Sequence, residues 1–248
     1  MTPTSTSSAR FIAVHSILQL DARHALARTA VLDPHAMHRT VMSGFYGWVE
    51  PEARDARSQM GILHTWSLDL RNNALLLIVQ SRIQPDWSSI PGSALAEKPT
   101  CINVDQIIRR GDSVGFRAIV NPARERVIAV DTPHGREAQK KRVSDTNSQH
   151  ARKWFATRLQ AEGAEKIGPG GVRRIGATCD PDRLDVRILP KLAFPDRQRG
   201  MKLGRAEIKG TLTITEPSAF AEALSKGVGK ARAYGAGLIL ARPNPAAA

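Results

Sequence analysis

Two histidines three residues apart, His35 and His38, follow Asp33-Pro34 in the run DPHAMHRTVMSGFYG. Side chains at that spacing are neighbours on one face of an α-helix. Asp33 suits the cap of such a helix and Pro34 its first position. Met37, Val41 and Phe45 recur every four residues and would face a core, with His38 bordering their stripe and His35 further round. A half-buried imidazole, titrating near neutrality, is suited to proton transfer. A metal role needs at least one more ligand than HxxH supplies. The plain alternative is a pair of ordinary surface or core histidines.

A glycine-rich segment, GVGKARAYGAG, carries Gly227, Gly229, Gly235 and Gly237 interleaved with Lys230, Arg232 and Tyr234. Glycines let backbone amides approach a phosphate, and the cations add charge. The segment follows a helical pattern and leads into a strand, the reverse of a dinucleotide fingerprint, and it lacks the P-loop pattern. Nucleotide binding is disfavoured. What stays open is phosphate contact against an ordinary loop that needs several positive φ angles.

Cations cluster twice more. Arg136, Lys140, Lys141 and Arg142 precede a helical pattern, and Arg197, Arg199, Lys202 and Arg205 lie between two strands as a hairpin arm would. Such residues contact phosphates, and an arm can enter an RNA groove; the alternative for each is a solvated loop. Asp180, Asp182 and Asp185 alternate with Arg183 and Arg187 and read as salt-bridged surface rather than a two-metal site. No metal and no cofactor is expected. Cys101 and Cys179 form no CxxC pair and read as two buried thiols of a cytoplasmic protein.

The formal net charge is +13 and the excess is uneven. Residues 1–111 carry 11 Lys+Arg against 9 Asp+Glu, and residues 112–248 carry 25 against 14. A field so one-sided favours a polyanionic partner. No apolar run approaches the ~20 residues that span a bilayer, and no clean basic amphipathic helix stands out.

The elements that must position these residues follow from periodicity. Phe11–Leu18, Ile62–Leu70, Ala74–Val79 and Cys101–Ile108 read as strands, with the Asp33 helix after the first and a weak helix at Pro85–Leu95. Val114–Val120, Leu184–Leu189, Ala206–Ile214 and Leu238–Leu240 repeat the order, with helices at Gln149–Glu162 and Pro217–Lys226. Trp154 and Phe155 sit at helical spacing and read as core. Two successive βαββαβ units make an α+β protein of two tandem ferredoxin-like (RRM-like) domains. The division expected is a disordered Ser/Thr-rich leader at 1–10, an N-terminal domain at 11–111 that holds the histidine helix, and a basic C-terminal domain at 112–248.

Together these segments resemble CasE, the repeat-cleaving family of type I-E CRISPR surveillance complexes. The run GTLTITEPSAFAEALSKGVGKARAYGAGLILARP is similar to that family's closing strand, helix, glycine-rich loop and strand. FRAIVNPARE resembles its strand ending in Asn-Pro, and DPHAMHR its first-helix motif, a Tyr followed three residues later by a catalytic His. The likeness runs in order along nearly the whole chain and is weaker over residues 48–100. It implies His38 as the catalytic histidine and Arg39 as a basic neighbour. It implies an RNA-contact role for Arg117 and a place beside the active site for the four glycines. His35 departs from the pattern, standing where the family has Tyr. The resemblance further implies cleavage of CRISPR repeat hairpin RNA by 2′-hydroxyl attack without metal. The guide RNA would stay bound within a Cascade complex with other subunits. The rival readings are a catalytically inactive RNA-binding subunit and a basic ribosome- or DNA-associated protein.

Overall fold

The computed structural model describes residues 7–48, 55–132, 135–143, 147–195 and 202–244, with the backbone alone for 124–132, 135–137 and 139–143. The first half contains β1 (Ser8–Asp21), α1 (Ala25–Leu32), α2 (Pro34–Met42), α3 (Ala56–Gln59), β2 (Leu63–Asp69), β3 (Ala74–Ser81) and β4 (Leu95–Arg109). Its strands form an antiparallel sheet in the order β2-β3-β1-β4, the ferredoxin-like arrangement. Alternation along β1 puts Leu18 and Leu20 on one face, where α1 and α2 supply Ala27, Ala30, Met37 and Val41 to a buried core.

Two expectations change here. The segment Pro85–Leu95 holds only a 3₁₀ turn at Gly92–Ala94. Pro91 fixes φ and lacks an N–H, and the Asp86 carboxylate accepts from the Ser88 amide in a tight turn. The segment serves instead to lay Trp87, Ile90 and Ala94 into the first core. β1 also starts earlier than Phe11: Ser8, Ala9 and Arg10 pair with Arg109, Ile108 and Ile107, so they belong to the sheet and not to a leader.

The second half contains β5 (Ser113–Val120), a hairpin of β6 (Arg124–Thr132) and β7 (Gly135–Val143), α4 (Ser148–Ala156), the short strands β8 (Ile167–Gly168), β9 (Val172–Arg173) and β10 (Ala177–Thr178), then β11 (Asp185–Ala193), β12 (Lys202–Ile214), α5 (Pro217–Lys226) and β13 (Ile239–Pro243). β12 is flanked by β11 and β5, and β5 by β13, which repeats the order of the first sheet; β10 joins the far end of β12. The protein is thus α+β, with two tandem ferredoxin-like units. α4 ends at Ala156, well short of Glu162. The Arg158 and Leu159 amides bond three residues back, and the Gln160 amide leaves to donate to Ala177 O at 2.8 Å. Phe155 is fully buried and stacks on Phe116, with ring centroids 5.2 Å apart.

The two sheets share a core. α5 buries Phe220, Ala223 and Leu224 in one cluster with Phe11, Ala13 and Ile108 of the first sheet. Gln80 on β3 donates to Leu224 O at 2.8 Å, a long-range bond between buried groups. The backbone after α5 is therefore fixed relative to β2 and β3, which decides where the glycine-rich segment stands. The thiols depart from expectation: Cys101 is exposed on the edge strand β4 and Cys179 is half-buried. Among the described residues no helix is long and apolar enough to cross a membrane.

Candidate active site

The histidine helix forms as its sequence dictates. The Asp33 carboxylate accepts from the amides of His35 (2.8 Å) and Ala36 (3.1 Å), and Pro34 occupies the first helical position. A cap of this kind is worth about 1 kcal/mol. With Met37 and Val41 driven into the core, His38 is left half-buried at the border. Its Nδ1 is buried and has no hydrogen-bond partner. Burial pushes the His38 pKa down, and the charges of Arg57, His35 and Arg39 act in the same direction. The imidazole is therefore neutral at pH 7 and able to accept a proton.

Behind it stands His64 of β2, fully buried, with neither ring nitrogen hydrogen bonded. Burial pushes its pKa down to about 3, with His38 and Arg57 adding to the shift. A neutral imidazole can both donate and accept, so His64 is a fixed dipole rather than a charge at working pH.

The glycine-rich segment closes over these groups. All four glycines have positive φ. The Val228 amide donates to Gly237 O at 2.8 Å and the Gly237 amide to Ile119 O at 2.6 Å, which hangs the loop from β5. Between them a 3₁₀ turn, Arg232–Tyr234, contacts both α2 and β2. Tyr234 meets the His35 ring edge-on at 5.4 Å, and Phe194, just past β11, meets it at 5.3 Å. Gly235 is the tight point: φ is +78°, and a Cβ there would stand 3.2 Å from Trp66 Nε1 and 3.5 Å from His64 Nε2. Only glycine lets this turn lie flat on the histidine strand.

Two cavities flank the loop. One, about 470 Å³, is lined in part by Arg57, Arg82, Arg173, Lys226 and Arg232. The other, about 620 Å³, is lined in part by Trp154, Arg158, Arg173, Lys230, Arg232 and three glycines, Gly170, Gly171 and Gly229. Arg173 and Arg232 border both, so the two form one cationic path along the loop, and neither lining includes a carboxylate. Glu222 lies beneath and ties Lys166, Arg173 and Lys226; those bonds hold its carboxyl down at about 2. Glu222 offsets part of this charge, and the cations that line the two cavities still outnumber it, which suits a polyanion backbone.

Of the residues singled out from sequence, His35, His38, Gly227, Gly229, Lys230, Arg232, Gly235 and Gly237 come together here. Arg39 is exposed and pairs with Asp33 at 3.6 Å, beside the site. Arg117 lies apart. It alternates with core residues Phe116 and Ala118, donates to Glu207 at 2.6 Å, and lines a separate groove of about 590 Å³ with Lys209 and Arg242. Lys202 is exposed at the start of β12, whose pairing with β11 forms the expected hairpin arm. Arg205, on the same strand, differs from expectation. It is 4% exposed, sits 4.5 Å over the Trp66 ring, and donates to Pro190 O, so its guanidinium is part of the packing. Lys140, Lys141 and Arg142 fall on β7, which is described by backbone alone; Arg197 and Arg199 lie outside the described residues. Among the described residues no group of three or more His, Cys, Asp or Glu converges as a metal site would need.

Sequence reasoning missed His64, Arg57, Arg173 and the Gly170-Gly171 turn. The alternation of β2 put His64 and Trp66 on one side, but nothing in the chain announced that this side meets α2 and the glycine loop. The run IGPGGVRR carried a signal of the right type, glycines beside arginines, that went unread.

A family model described as CRISPR associated protein matches residues 15–243. No curated protein matches the chain. Among solved structures, CRISPR-associated protein Cas6e from Escherichia coli is similar at 15% identity and a TM-score of 0.66, over 94% of this chain and 100% of that one. Thermus thermophilus Cse3, bound to an RNA representing a pre-cleavage complex, is similar at 22% identity and 0.65, with the same coverage. A chain of a CRISPR RNA-guided surveillance complex matches at 17% identity and 0.54, again over 94% and 100%. At these identities the likeness is one of fold.

Proposed function

The chain belongs to the CRISPR-associated protein family, and from that premise we propose that it is a metal-independent endoribonuclease of the CasE type, cutting a CRISPR repeat hairpin in the guide-RNA precursor. The observation that carries the reading is the placement of a neutral, half-buried His38 beside a glycine turn bordered by a cationic path. Solved relatives over the same length include one described as bound to a pre-cleavage RNA, which supports RNA as the ligand.

The chemistry follows from the groups present. The 2′-hydroxyl before the scissile phosphate attacks that phosphorus, and His38 takes its proton. The bond to the 5′ oxygen breaks, and that oxygen leaves with a proton from solvent, giving a 2′,3′-cyclic phosphate and a 5′-hydroxyl. Proton transfer by a positioned imidazole contributes roughly 10²–10⁴-fold. In-line alignment of the bound strand supplies much of the remainder. Arg57, Lys230 or Arg232 can stabilise charge that develops on the phosphoryl oxygens. Arg39 stands beside His38, and the arm of β11 and β12, with Lys202 on it, is suited to hold the stem. Partners on this reading are precursor and mature guide RNA and the other subunits of a type I-E Cascade complex, in the cytoplasm.

A second reading, an inactive RNA-binding subunit, is favoured by His35 standing where the resemblance implies Tyr. One experiment separates them. The protein is incubated with its own repeat hairpin in excess EDTA, and the product ends are analysed. Cleavage to a cyclic phosphate supports the endoribonuclease; binding without cleavage supports the second reading; cleavage only with added divalent ion overturns the metal-free mechanism.

A further inference from the structure

His38 turns a buried Nδ1 inward, so Nε2 is the nitrogen left to meet an RNA oxygen. To accept a proton there, the neutral ring must carry its hydrogen on Nδ1. A buried N–H without an acceptor is unfavourable, and buried polar groups are nearly always paired. One buried neighbour is itself unpartnered at both polar atoms: His64, 0% exposed. The turn bearing Gly235 touches both α2 and β2, and a Cβ at Gly235 would stand 3.5 Å from His64 Nε2, which places the turn against that ring. The groups facing His38 are otherwise cations or further imidazole: Arg57 from α3, and His35 and Arg39 on its own helix. None of these is an anionic acceptor.

We propose that His64 is the positioning residue for His38: its imidazole accepts the His38 Nδ1–H through one buried water, and so fixes the tautomer whose Nε2 faces the RNA. This deepens the endoribonuclease reading and rests on it. The arrangement parallels the carboxylate that orients the histidine of a Ser-His-Asp triad, with a neutral acceptor in place of the acid. A neutral acceptor leaves the histidine less basic than a carboxylate would, in keeping with the low pKa of His38. Because His64 stays uncharged well below neutrality, it holds this role across the working pH range.

The test has two arms. In wild-type protein labelled with 15N-histidine, NMR reads the tautomer of His38 above its pKa. A single Nδ1–H tautomer is expected; the Nε2–H form, or a mixture, overturns the proposal without need of a variant. In the second arm, single-turnover cleavage by His64→Leu and His64→Gln is measured at saturating protein. His64→Leu is expected to cut ~10–100-fold more slowly, the scale typical for loss of a partner that orients a functional imidazole. Hairpin affinity should be unchanged, and His64→Gln, which keeps an acceptor, should recover part of the rate. Equal rates in wild type and His64→Leu overturn the role of His64 while leaving the nuclease intact. If wild type itself binds hairpin but does not cut it, the endoribonuclease reading fails, and the tautomer arm still decides the geometry.

Discussion

Acidification should destabilise this fold through one buried side chain, and His64→Leu should relieve it. His64 is 0% exposed and its pKa is pushed down to about 3, against an ordinary value near 6.5. The unfolded chain therefore binds a proton below about pH 6.5 that the folded chain refuses until about pH 3. Linkage then makes stability fall as pH drops through that window, flattening below it. Between pH 7 and 4.5 the loss from this one group is on the order of 3 kcal/mol, a large fraction of a domain's ~5–15 kcal/mol. His15 and His38 are also depressed and push the same way, so the wild-type curve alone does not isolate His64. The comparison does. Leucine is close in volume but leaves the buried His38 Nδ1–H without its acceptor, so His64→Leu should be no more stable than wild type at pH 7. Urea unfolding of both proteins at pH 7 and 4.5 gives the difference. The pH penalty is expected to be about 3 kcal/mol smaller in the variant. Equal penalties in the two proteins would refute it, and would mean that His64 is solvated or protonated in the native state.

Gly235→Ala should fail locally, because a Cβ at φ +78° meets Trp66 at 3.2 Å. It should cost roughly 1–2 kcal/mol in thermal melts and reduce cleavage more than hairpin binding. Lys230→Ala removes an exposed cation from the path and should lower the slope of log affinity against log salt by about 1, read by filter binding. Arg205→Met, by contrast, removes a guanidinium packed on Trp66 and should leave that salt slope unchanged while lowering the melting temperature.

Much of the fold was legible because its periodicities are clean. The run LDPHAMHRTVM carries a cap, a first-position proline and a four-residue apolar repeat, and α2 forms where those signals place it. α5 likewise spans Pro217–Lys226, with Gly227 past its end. The glycines at 227, 229, 235 and 237 announced positive φ angles, and all four have them. Other elements gave weak local signals. α1 is capped by the His24 ring, through Nδ1 to the Leu26 amide at 3.2 Å, a cap that residue preference does not flag. The second arm of the β6–β7 hairpin, GREAQKKRV, shows its charge and not its strand, because it lacks an apolar alternation. The candidate site was half legible. His38 and the glycine segment each carry chemistry in their own sequence. His64 and Arg57 acquire theirs only from contacts across the fold, and Arg205 lost its expected exposure to a ring contributed by β2.

The proposed cleavage depends on the imidazole at position 38. The direct measurement is cleavage and hairpin affinity of His38→Ala beside wild type, in excess EDTA. Cleavage is expected to fall at least ~10²-fold while the dissociation constant moves less than about threefold, since the ring contributes to proton transfer and not to grip. Parallel loss of binding and cleavage, or undiminished cleavage by the variant, would contradict it.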